Sequence, residues 1–180
     1  MAWVREHRHP SIFALLVAIQ VVLIVAMVIR EERFQRGTNI VLEAQPVDPR
    51  DPLRGDFVIL GYRAQNLDGV AVPQSGFIER EDVYVVLADR GRYWEAVGIR
   101  SDNIDSAERD EGLLAIRARV VNESPLRVEF PDLGEYFLEQ GTGRLPDTPD
   151  VHVSVSEDGT ARILYLAIDG QRWPFDVGDR

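Results

Sequence analysis

The sequence predicts an all-β domain, a barrel or sandwich of short antiparallel strands, preceded by a single transmembrane helix. Three observations predict it. One run, "SIFALLVAIQVVLIVAMVI" from Ser11 to Ile29, carries no charge and one strongly polar residue, Gln20. After it come short apolar segments at roughly 8–12-residue spacing, divided by Gly and Asp turn signals. One of these segments, "VHVSVS" at 151–156, alternates strictly, as a strand does.

Residues 1–10 form a short basic N-terminal tail. The run 11–29, as a helix, is roughly 28 Å long, close to the hydrocarbon thickness of a bilayer. It is apolar on every side, unlike a core helix with its polar stripe. No small-residue cleavage site follows Ile29, so an uncleaved signal anchor is expected rather than a removed signal peptide. Arginines flank the run on both sides: Arg5 and Arg8 before it, Arg30, Arg33 and Arg36 after it. The short basic tail ahead of an apolar segment favours an N-terminus in the cytoplasm and a domain outside. Residues 30–37 read as a charged linker ending at Gly37.

The β domain is expected over 38–176, with 177–180 as a C-terminal tail. Strands are predicted at 38–44, 56–63, 82–88, 92–99, 113–121, 126–130, 151–156, 160–168 and 171–175. Asp89-Arg90-Gly91, Glu157-Asp158-Gly159 and Asp169-Gly170 read as hairpin turns. Residues 101–112, "SDNIDSAERDEG", read as an acidic surface loop or short helix, and "GEYFLEQ" at 134–140 offers room for a second short helix. In 151–156, Val151, Val153 and Val155 share one face; His152, Ser154 and Ser156 share the other, expected toward solvent.

Composition excludes several functions. The chain holds 30 acidic and 20 basic side chains, a net charge of −10. The acidic excess lies after residue 36, so nucleic acid is not an expected partner, because phosphate contacts need a basic face. There is no cysteine, which removes thiolate nucleophiles and Cys-ligated metals. There is also no lysine, since all 20 basic residues are Arg, which removes Schiff-base chemistry, Ser–Lys dyads and P-loops. No cofactor or metal is expected: three histidines are dispersed at 7, 9 and 152, and the acidic loop lacks the EF-hand spacing.

"PVDPRDPLRGDFVILGY", Pro46 to Tyr62, combines a charged proline-rich half with an apolar half. Pro46, Pro49 and Pro52 favour an extended, stiff path. Asp48, Arg50, Asp51, Arg54, Gly55 and Asp56 then make either Asx turns and local ion pairs at the mouth of a strand, or a loop that presents Arg and Asp to a partner or anionic ligand. Beyond them the strand carries apolar residues on both faces, Val58, Leu60 and Tyr62 on one and Phe57, Ile59 and Gly61 on the other, which argues for a buried strand. These seven residues, Tyr62 included, are the candidate binding motif.

Gly55-Asp56-Phe57-Val58-Ile59-Leu60-Gly61-Tyr62 resembles the motif G-D-Y-x-x-L-x-Y, with Phe57 in place of the first Tyr. "EYFLEQGTGR" (135–144) is similar to the second signature of the same GDYXXLXY-domain family, with Leu138, Glu139, Gln140 and Gly141 where the family has V-P-E-G. "LAIDG" (166–170) fits the family's C-terminal end. The resemblance covers roughly residues 38–172. It implies a bacterial membrane-anchored protein of uncharacterised function, often accompanied by polytopic membrane proteins, and supplies no catalytic residues. An anchor followed by Arg-Gly-Asp also looks like part of a signal peptidase, but a lysine-free chain cannot hold the dyad those enzymes use.

The function expected is a membrane-anchored, non-enzymatic accessory or interaction protein. It meets the lipid bilayer through residues 11–29 and works beside a membrane-protein partner. Two alternatives stand. One is a membrane-anchored hydrolase or lyase using Asp and Arg of the 46–56 loop. The other is a small-ligand or polysaccharide sensor, for which Trp94 and Trp173 exposed on one face would be the sign.

Overall fold

The computed structural model describes residues 8–35, 37–47, 57–70, 72–73, 76–137 and 148–173. The chain divides into two units, Met1–Arg36 and Gly37–Arg180.

The first unit is helix α1, Arg8–Gln35. Pro10 sits within its first turn, where a missing N–H breaks no helical bond. The segment Ile12–Ile29 is long and apolar enough to cross a membrane, and its large side chains are exposed. The helix does not stop at Ile29. Residues 30–35, expected as a linker, continue it, because Arg, Glu and Gln are good helix formers and the first breaker is Gly37. The change at Ile29 is one of polarity, not of backbone.

The second unit is β-rich. Its strands are β1 Thr38–Val47, β2 Phe57–Tyr62, β3 Asp82–Asp89, β4 Trp94–Arg100, β5 Leu113–Glu123, β6 Leu126–Glu129, β7 Glu135–Phe137, β8 Asp150–Val155, β9 Ala161–Ile168 and β10 Gln171–Trp173. One turn of 3-10 helix, Arg63–Gln65, follows β2, and a short helix α2, Ser106–Asp110, lies between β4 and β5. Two antiparallel sheets result, ordered β10-β9-β8-β1-β2-β7 and β4-β3-β5-β6. β1 changes partner along its length. Thr38–Glu43 pair with β8 and Ala44–Val47 with β2.

Both sheets share one core. Leu42 of β1, Val85 and Leu87 of β3, Leu133, Val151 of β8 and Leu166 of β9 are wholly buried. Each such side chain stabilises the fold by about 1.5–3 kcal/mol relative to exposure. A smaller cluster, Val86, Ile104 and Ala115, lies on the other face of the four-stranded sheet. The predicted turns form. Asp169 and Gly170 both have positive φ, as a two-residue hairpin requires. Gly159 has φ of 83°, and a Cβ there would stand 2.8 Å from the Tyr84 ring.

Three expectations are corrected. "EYF", within the segment given room for a helix, is strand β7, paired with β2 from Phe57↔Phe137 to Ile59↔Glu135; three residues are enough to extend a sheet edge but too few to show a period. β1 runs on through Pro46, which sits opposite Leu60. Ser154 and Ser156, expected toward solvent, are buried. Part of the reason is Gly37, which approaches so closely that a Cβ would lie 2.5 Å from the Ser154 hydroxyl.

Candidate functional site

Of the seven candidate residues, Asp48, Arg50, Asp51, Arg54, Gly55 and Asp56 lie outside the described residues. Tyr62 lies within them and faces inward. It is 5% exposed. Its hydroxyl donates a 2.8 Å hydrogen bond to the Leu133 carbonyl, and its ring meets Phe130 edge-on at 5.8 Å. Its own N–H donates to the Gln65 side chain, which caps the 3-10 turn. Two residues earlier, the Leu60 N–H donates to the Gly134 carbonyl. The end of the motif strand therefore fastens the Phe130–Gly134 turn, and the Tyr62 side chain serves the core rather than a presented surface. Burial holds its phenol protonated well above the ordinary tyrosine range.

Another polar grouping lies elsewhere. β1, the 3-10 turn and the start of β4 enclose an open cleft of about 130 Å³, lined by Glu43, Arg63, Asn66, Asp68, Tyr93, Trp94 and Glu95 among others. Arg63 holds Glu43 at 3.1 Å. Beside the cleft, Glu43 is the cross-strand partner of Asp150 on β8. The Tyr93 hydroxyl donates to Asp150 at 2.6 Å, and Arg92 reaches the same carboxylate at 3.2 Å while lying 5.0 Å over the Tyr93 ring. Desolvation, then the hydrogen bond to Asp150, push the Tyr93 phenol up to about 12. Tyr93 is thus a donor near neutral pH, not a base. A second, broader groove of about 530 Å³ runs beside β2 and carries Gln65, Glu129, Asp132 and Glu135.

Two further clusters are structural. On the outer face of the larger sheet, His152 stacks on Tyr165 at 4.2 Å, and the Arg172 guanidinium lies 5.2 Å from the centroid of the same Tyr165 ring. Burial lowers the His152 pKa, and Asp150 partly opposes that. The acidic 101–112 segment is tied down rather than free. Asp105 and Glu108 make a capping box at the start of α2, and Arg100 holds Glu108 at 2.8 Å and Asp102 at 2.9 Å. Asn103 and Arg109 both donate to the Glu157 carbonyl. Among the described residues, no three His, Asp or Glu side chains converge as metal ligands.

The Glu43–Arg63 and Asp150–Arg92–Tyr93 contacts had no sequence signal. Glu43 and Asp150 are neighbours only through the β1–β8 register, and each alone reads as an ordinary surface acid. Trp173 is buried, and Trp94 is half-buried against the core. They do not form the exposed aromatic platform that a polysaccharide sensor would show.

Over residues 20–166 the chain matches the family model described as GDYXXLXY protein. The match begins inside α1 and ends in β9. No curated protein and no solved structure matches the chain.

Proposed function

Because the chain belongs to the GDYXXLXY family, we propose that it is a single-pass, membrane-anchored accessory protein that works through contact with a membrane-protein partner and carries out no reaction of its own. Its N-terminus lies in the cytoplasm and its β domain outside. The observation that carries the proposal is the exposed apolar helix that precedes the first strand of the domain in the chain. Eighteen consecutive apolar-rich positions with exposed side chains need a non-aqueous environment.

The polar geometry of the domain supports the non-enzymatic part. In the cleft region Glu43 and Asp150 are held by Arg63, Arg92 and Tyr93. These are carboxylates engaged in fixed contacts, with Tyr93 protonated beside them. Arg and Asp side chains interleaved as they are in the sequence from 48 to 56 suit the polar rim of a protein interface.

The test is purification of the full-length protein from native membranes in mild detergent, beside folded Asp51→Asn and Arg54→Gln variants. A stoichiometric polytopic membrane protein bound by the wild type and lost from the variants is the expected result. A chain that purifies alone from intact membranes counts against the accessory role. Retention of the same partner by all three proteins moves the contact away from the 48–56 segment.

A further inference from the structure

We propose that α1 pairs in parallel with α1 of a second copy of this chain, with Gln20 at the contact. The proposal rests on the membrane-anchored reading and adds a partner to it. Gln20 is exposed and stands near the middle of the apolar segment Ile12–Ile29. At 1.5 Å per residue it is about 12 Å from one end and about 14 Å from the other. A glutamine side chain is too short to carry its amide that far to either interface. Left in hydrocarbon, the amide has two N–H donors and a carbonyl acceptor without partners, which is costly.

The geometry of insertion favours a second copy as the partner. Copies of a single-span chain enter the membrane in one orientation. A symmetric parallel pair therefore sets each contact residue beside its own copy at the same depth. The primary amide is self-complementary, so the carbonyl of one Gln20 accepts from the N–H of the other, reciprocally. A different helix would need its own polar group at that depth, whereas a second copy supplies it by construction.

The flanking residues fit such a seam. Phe13 and Met27 lie seven residues to either side of Gln20, and Leu16 and Leu23 fill the intervening positions of a heptad seam. All four are exposed in the single chain. A lone polar residue in such a seam fixes register.

The cysteine-free sequence makes the test direct. Single substitutions Leu16→Cys, Leu23→Cys and Met27→Cys place a thiol on the Gln20 face; Val22→Cys and Ile29→Cys place one on the opposite face. Each full-length protein is oxidised in native membranes and resolved by mass. Disulfide-linked species at twice the chain mass, confined to the Gln20 face, are expected. In the Leu23→Cys background, Gln20→Leu reduces them roughly 3- to 30-fold, and Gln20→Asn retains most of them. Equal linkage on both faces, no linkage, or a product of any other mass overturns the pairing. Alkaline carbonate extraction separates the two failures: a resistant but unlinked chain overturns the pairing alone, while a released chain overturns the anchor and the pairing together.

Discussion

Replacing Tyr62 by Phe removes one oxygen and leaves the ring where it is. The oxygen donates at 2.8 Å to the Leu133 carbonyl, in a region where Tyr62 is 5% exposed and Leu133 fully buried. The bond itself is worth about 0.5–1.5 kcal/mol net, and an acceptor stranded in the core costs about 1–3 kcal/mol. A loss of about 1–2 kcal/mol follows. For a domain of this size it lowers Tm by about 3–8 °C. Thermal unfolding of the full-length protein in detergent, followed by near-UV circular dichroism, measures it. Tyr62→Leu also removes the edge contact with Phe130 and costs more, about 2–4 kcal/mol. The phenol adds a pH signature. Its folded pKa is raised by burial, so both states are protonated below the ordinary value of 10.0. Above it the unfolded chain ionises first, and stability falls as pH rises. Tyr62→Phe removes that part of the alkaline loss. A Tyr62→Phe protein within about 1 °C of wild type, with an unchanged alkaline limb, would refute the argument that this bond fastens the Phe130–Gly134 turn.

Two other perturbations probe the outer face of the larger sheet. His152 is lowered by burial, so on acidification from pH 6.5 the unfolded chain takes up a proton before the folded one, and stability falls through the folded pKa. NMR titration should find the imidazole midpoint below 6.5, and His152→Gln should flatten the stability profile in that window; a midpoint at or above 6.5 would contradict the burial argument. At Asp150, an Asn keeps an acceptor for the Tyr93 hydroxyl and loses only the charge of the pair with the solvent-screened Arg92, a small change. Asp150→Ala strands the hydroxyl and costs about 1–2 kcal/mol more in urea unfolding. Equal costs for Asn and Ala would mean that the charge, not the acceptor, matters.

The β class and most strands were legible because the apolar runs are short and the turns carry Gly and Asp. Gly91 illustrates this: its N–H is taken by Asp89, and its φ is 97°. What escaped was whatever depends on partners distant in sequence. β7 is too short to show alternation. Ser154 follows the period that elsewhere means solvent, yet Gly37 lies against it. Tyr62 was visible as part of a motif, but its inward direction is set by Phe130 and Leu133, which no local pattern connects to it. Helix α1 outran its apolar core because propensity, not polarity, ends a helix.

The change of partner along β1 has a consequence for synthesis. β1 is the first strand to be made, and β2 begins ten residues after its end, at Phe57. β8, which takes the other half of β1, is made roughly a hundred residues later. At about 5–20 residues per second, Thr38–Glu43 wait roughly 5–20 s with their backbone donors and acceptors unpaired. During that wait Ile40 and Leu42 have no core to enter. On the anchored reading proposed above, α1 would hold the nascent chain at the membrane through that wait and keep its most exposed strand from meeting other unfinished chains free in solution.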